Sequence, residues 1–200
     1  SFAFKKATGS FTVAEGGAST ALSEVPYLAI GASVTTATVG AGGVGLELSG
    51  IELAMVLVSD TKGNNTGASP VLTDDVNYTA IKADVTSAAI VGISGLTVSV
   101  TDFALEINKS ADTDANPATV STAVLDFADT AGNVNDDGVA ALPVATGPST
   151  TLDIDLDGDA GQLLQVAGAI TLDVFGFVSL DGSFAFKKAT GSFTVAEGGA

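Results

Sequence analysis

The 200 residues contain no cysteine, histidine or tryptophan and a single methionine, and all seven basic residues are lysine, so arginine is missing too. Each absence removes a class of chemistry. No disulfide or thiol nucleophile is available, the usual general base near neutral pH is missing, and no guanidinium is there to clamp an anion. Paired carboxylates of the kind glycosidases use remain, but rows of Asp in a repeating chain read more simply as structural, and the expectation is a protein that is not an enzyme. Basic charge is scarce: 23 acidic residues against seven lysines give a net charge of −16, which argues against nucleic acid as a partner. No apolar run reaches the 18 residues of a transmembrane helix, so this stretch contains no helical membrane span. Two tyrosines and no tryptophan make a poor supply for the aromatic girdles of an outer-membrane barrel.

What is present is glycine (24 residues) and much Val, Thr, Ala and Ser, within a hydrophobic content of 46%. That mixture favours strands and tight turns. Its most informative feature is a duplication: Ser183–Ala200, SFAFKKATGSFTVAEGGA, repeats Ser1–Ala18 without a difference. Residues 1–182 therefore read as one period of a tandem repeat, and 183–200 as the start of the next identical copy. The tail holds one Glu and two Lys, so the first 182 residues carry 22 acids against five bases, a net −17.

From Leu164 to Phe186 every second position is apolar or Gly, the signature of a strand with one buried face. A two-residue hairpin at Asp181-Gly182 would put Phe184 and Phe186 on the wrong face. The expectation is a strand that runs through the repeat boundary from about Leu164 to Phe186, with no linker between copies. Earlier in the chain, Ala7-Thr8-Gly9 reads as a turn, Phe11 and Val13 as a short strand, and Gly40–Gly43 as a break. Apolar residues then alternate through Val44, Leu46 and Leu48 and, one residue out of step, through Ile51, Leu53, Met55 and Leu57. The same slip follows Val100, with Phe103, Leu105 and Ile107 beyond it, and each slip predicts a β-bulge, at Ser49-Gly50 and at Thr101-Asp102. Segments 28–60 and 80–112 match at a spacing of 52, with Val39/Val91, Gly40/Gly92, Gly43/Gly95 and Leu53/Leu105 identical, which points to an internal duplication. A short strand is expected near Val124–Phe127, a structureless loop over 128–150, and a strand opening at Leu152, Ile154 and Leu156.

Asp153, Asp155, Asp157 and Asp159, with Gly158, match the opening of a calcium loop, in which a hard cation collects six to eight oxygens. The twelfth position is Leu164 where that loop has Glu. The competing reading is a strand with a wet acidic face ending in a turn. Poorer relatives are Asp112, Asp114 and Asn116, and Asn133, Asn135 and Asp137; calcium is the cofactor expected at these three places. Asn64, Asn77 and Asn108 head N-glycosylation sequons.

The exact duplication, the acidic cysteine-free Thr/Val/Gly/Asp composition and the D-x-D-x-D-G stretch together resemble giant prokaryotic tandem-repeat surface proteins, including the extender regions of calcium-dependent adhesins. The resemblance implies an extracellular or cell-surface stalk rigidified by calcium, whose partners are neighbouring copies of the same repeat in a homopolymer or filament. The fold class expected is all-β, an elongated stacked-sheet or solenoid-like repeat with long strands, continuous across the repeat boundary. Such extenders are often built of shorter domains, and here the period is longer and lacks a linker. Two other functions compete: an adhesin-type binding module for a partner or glycan, marked by a flat threonine grid such as Val34–Thr38, and an outer-membrane β-barrel.

Overall fold

The computed structural model describes residues 1–61, 75–112, 121–128 and 141–190, and its fold is all-β. Five long strands come first: β1 (Phe2–Glu15), β2 (Ala18–Ala41), β3 (Val44–Asp60), β4 (Val76–Val91) and β5 (Leu96–Asp112). Three short ones follow, β6 (Val124–Asp126), β7 (Leu142–Ala145) and β8 (Thr151–Ile154), then a 3-10 turn at Gly158–Ala160. β9 (Leu163–Val174) and β10 (Val178–Ala189) complete the described chain. Eight strands form one open antiparallel sheet in the order β10-β9-β5-β4-β3-β2-β1-β6, whose two ends are not paired with each other. β7 and β8 make a second, two-stranded sheet.

The boundary between Gly182 and Ser183 lies inside β10, so a strand does cross it. That strand is shorter than the alternation predicts. The chain reverses at Phe175-Gly176-Phe177, and β10 returns along β9 with Val178 opposite Val174 and Phe186 opposite Val166. Phe175 and Gly176 take φ of 53° and 70°, and the Phe177 amide donates to the Val174 carbonyl at 2.9 Å. Three residues between the paired ends leave parity unchanged. Period-two alternation therefore reads the same through this hairpin as through a straight strand, whereas the two-residue hairpin at Asp181-Gly182 would have inverted it.

Gly9 is likewise not a turn. β1 runs through it, and a Cβ there would stand 3.1 Å from the ring of Tyr27. The break at this level falls on β2 instead, where Ser23 and Glu24 oppose Ser10 alone and Glu24 takes a φ of 52°. This bulge returns Leu22 and Val25, three residues apart, to the same face, and both are buried. The segment expected to be a structureless loop contains β7, which pairs with β8 from Leu142–Ile154 to Ala145–Thr151. The halves of the suspected duplication form successive hairpins, with two residues between β2 and β3 and four between β4 and β5.

Of the two predicted bulges, the one at Asp102 forms: two residues of β5 oppose Gly168 of β9, and Asp102 has a φ of 50°. At Ser49-Gly50 no register shift occurs on either side, although Gly50 takes a φ of 59°. The reason lies in its neighbours. Apolar parity slips between Val34 and Ala37 in β2, Leu48 and Ile51 in β3, Val85 and Ala88 in β4, and Val100 and Phe103 in β5. The slips line up as one unpaired row, Thr35–Gly50–Thr86–Asp102, across four strands. Strands that slip together stay in register; only at β9, which does not slip, does the extra residue become a bulge.

One face of the sheet is covered over its lower half, the half on the β3–β4 connection side of that row. Ala29, Val56, Val58, Val76, Tyr78 and Ala80 meet Leu125, Phe127, Val144, Ile154 and Leu156 from the β6–β8 layer in the core. β7 lies so close on β2 that a Cβ at Gly31 would stand 2.0 Å from the Ala145 carbonyl oxygen. Burial of this kind is worth roughly 1.5–3 kcal/mol for each large side chain. Of the two expected arrangements, stacking is therefore seen locally, as a small sheet laid on a large one.

Gly50→Ala tests the aligned row. The new Cβ would take a left-handed φ and meet Thr86 Oγ1 at 2.3 Å. A loss of about 1–3 kcal/mol in urea unfolding is expected. Gly42→Ala, also at positive φ but with nothing within 4 Å, should lose less. Equal losses would mean that contact across the row contributes nothing.

Candidate functional site

Asp153 lies in β8, and the chain from there to Asp159 alternates strictly: Asp153, Asp155, Asp157 and Asp159 are exposed, while Ile154, Leu156 and Gly158 are buried. The acidic side chains stand on the outer side of the β7–β8 layer because the apolar ones are fixed in the core. Two have protein partners. Asp155 accepts from Lys82 Nζ at 2.8 Å, joining the layer to β4. Asp157 caps the 3-10 turn by accepting from the Asp159 amide at 2.8 Å. Asp112 ends β5, and its carboxylate accepts from the Ser121 amide at 3.0 Å. Asp114, Asn116, Asn133, Asn135 and Asp137 lie outside the described residues. Among the described residues, no three acidic side chains gather closely enough to hold a metal ion.

Two buried polar residues, Asp126 and the sequon residue Asn108, prove to be structural. Asp126, 2% exposed, accepts from the Gly158 amide at 3.0 Å and the Ala128 amide at 3.1 Å. It ties β6 to the 3-10 turn, and only its burial beside a glycine that approaches closely reveals it. Asn108 is fully buried, and its amide donates to the Leu125 carbonyl at 2.6 Å. That sequon therefore cannot carry a glycan in the folded chain. Asn77 is exposed, and Asn64 lies outside the described residues.

Charge concentrates beneath this layer. Burial opposes the charge of Lys82, but the hydrogen bond and charge of Asp155, with Asp84 and Glu106, outweigh it and hold the ammonium above its ordinary range. Burial, then the carboxylates of Asp60, Glu15 and Asp112, push the Tyr78 phenol up to about 12. A raised folded pKa favours the fold fully below the unfolded value of 10.0 and loses that contribution as pH rises towards 12. Urea unfolding should therefore show stability falling between pH 10 and pH 12, by up to about 2–3 kcal/mol from this group. Tyr78→Phe should flatten that fall. An unchanged slope in the variant would remove Tyr78 as its cause.

The opposite face of the sheet is apolar over most of its length, turning polar only at its lower end, at Lys6, Thr79, Lys109 and Lys188. Below the aligned row, register places Phe4, Ile30, Met55, Ile81, Ile107 and Leu164 side by side. Above it stand Val39, Leu46, Ile90, Val98, Leu172 and Leu180. β9 alternates without interruption from Leu164 to Leu172, so both rows lie on one face. No described residue covers it: Phe2 is 67% exposed, Phe4 71% and Val39 70%. The covered face, above the aligned row, is wet and carries a hydroxyl row Thr36–Ser49–Ser87–Thr101. At its two sides the open apolar face is bordered by the same sequence, Phe2–Ala7 in β1 and Phe184–Ala189 in β10.

No protein-family model, curated protein or solved structure matches the chain. No helix among the described residues is long and apolar enough to cross a membrane.

Proposed function

We propose that the chain is a structural repeat of a long extracellular filament or stalk and not an enzyme. One observation carries the reading: the sequence begins to repeat in the middle of β10, whose ladder to β9 continues unbroken across Gly182 and Ser183. A boundary inside a hydrogen-bonded strand leaves no hinge for independent beads. Its neighbours are copies of itself, and a net charge of −17 per 182-residue copy keeps such a polymer soluble and repels lateral collapse. Chains of two, three and four copies should scatter X-rays as rods whose length grows in equal steps. A spread of bent, flexibly joined shapes would contradict the filament.

Calcium belongs to the same reading, bound along Asp153–Asp159 and by the acidic loops. An ion that binds only the folded chain stabilises it by about 2.7 kcal/mol at a hundredfold excess over Kd. Melting should therefore occur at higher temperature in millimolar calcium than in chelator, and Asp157→Asn should reduce the difference. Identical melting in both would remove calcium from the account.

The hydroxyl row on the wet half of the covered face supports a second reading, a binding module for a glycan or protein partner. Ligand capture lost on replacing Thr36 and Thr101 with valine would favour it over the filament.

A further inference from the structure

We propose that β10 is shared between copies: the last strand of one repeat is at the same time β1 of the next, so that a single sheet passes from copy to copy without an edge. The proposal rests on the tandem-repeat reading above and adds the contact by which copies join. Phe184–Ala189 and Phe2–Ala7 are the same six residues, seen here in two different ladders. In β1 they pair with β2, Phe2 opposite Ala32 and Phe4 opposite Ile30. In β10 they pair with β9, Phe184 opposite Gly168 and Phe186 opposite Val166.

These two ladders use opposite edges of the strand. Every neighbouring pair from β1 to β10 is antiparallel and six steps separate them, so β1 and β10 run in the same direction. Their phenylalanines lie on the same open face, Phe2 in one row with Leu53 and Leu105 and, through Val166, with Phe186. β2 therefore lies on one side of this sequence and β9 on the other. One strand can hold both partners at once.

Nothing described stands in the way. β6 occupies the outer edge of β1 only at Thr12–Ala14, whereas the β9 ladder ends at Ala189, the equivalent of Ala7. The preceding copy's β9 and the copy's own β6 would thus sit end to end along one edge. Every residue of β10 is exposed, as expected of a strand that still lacks its next neighbour and the layer that would lie over it. A bare edge of this length invites pairing. Successive copies would be displaced by six strand spacings, about 29 Å at about 4.8 Å each. The sheet would turn by about 120–150° per copy at the usual strand twist.

The test compares amide hydrogen exchange, resolved by residue, in the 200-residue chain and in the same chain extended through a second full copy. In the shorter chain, alternate amides between Phe184 and Lys188 should exchange quickly, because an edge strand bonds only on one side. With the second copy attached, that alternation should be lost and every amide in the stretch should become slow. Persistence of the fast amides would overturn the shared strand. If they persist in a particle that still scatters as a rod, the filament stands and the shared strand falls; if the particle is flexible, both fall. As a second measurement, Phe186→Cys should form a disulfide with Ile30→Cys of the following copy and, in a separate variant, with Val166→Cys of its own. Failure of the first pair where the second forms would also overturn the proposal, and exchange in the unaltered chain decides if the variants do not fold.

Discussion

Side-chain alternation along extended strands is the constraint on which the structure depends. Each residue shift sends a side chain to the other face, so a sheet can keep one face apolar over its length only if every irregularity is matched or absorbed. Four adjacent strands meet this demand by slipping in the same row, Thr35–Gly50–Thr86–Asp102. β9 does not slip, and the mismatch appears beside it as the bulge at Asp102. The result is a sheet with one largely apolar face and one face divided between a covered half and a hydroxyl-rich half.

That division assigns different tasks to different parts of the molecule. The β6–β8 layer supplies the core and is held by Asp126 on Gly158 and by the Lys82–Asp155 pair. Removed from the core, the acidic residues stand outward, where 0.1 M salt screens their mutual repulsion within ~10 Å. Repulsion then acts mainly where surfaces approach sideways. The proposed junction between copies would rest on backbone hydrogen bonds, which charge and salt scarcely touch.

Much of this was legible in the residues. Alternation announced the long strands, and the Asp/apolar rhythm from Asp153 to Asp159 announced a wet side and a buried one. The hairpin at Phe175-Gly176-Phe177 was not legible, since an odd-numbered turn preserves parity and its first left-handed position is a phenylalanine. Gly9 looked like a turn because space for the Tyr27 ring and freedom for a turn select the same residue. β7 was hidden by its shortness and by Pro143, which an edge strand tolerates. The roles of Asp126 and Asn108 depend on segments distant in sequence, and no local pattern marks them.

X-ray fibre diffraction from an aligned chain of many copies tests the central claim most directly. One continuous sheet predicts strands perpendicular to the fibre axis, with a reflection near 4.8 Å along the axis. It also predicts an axial rise of about 29 Å per copy, from six strand spacings. A repeat unrelated to the strand spacing, or strands lying along the axis, would contradict it.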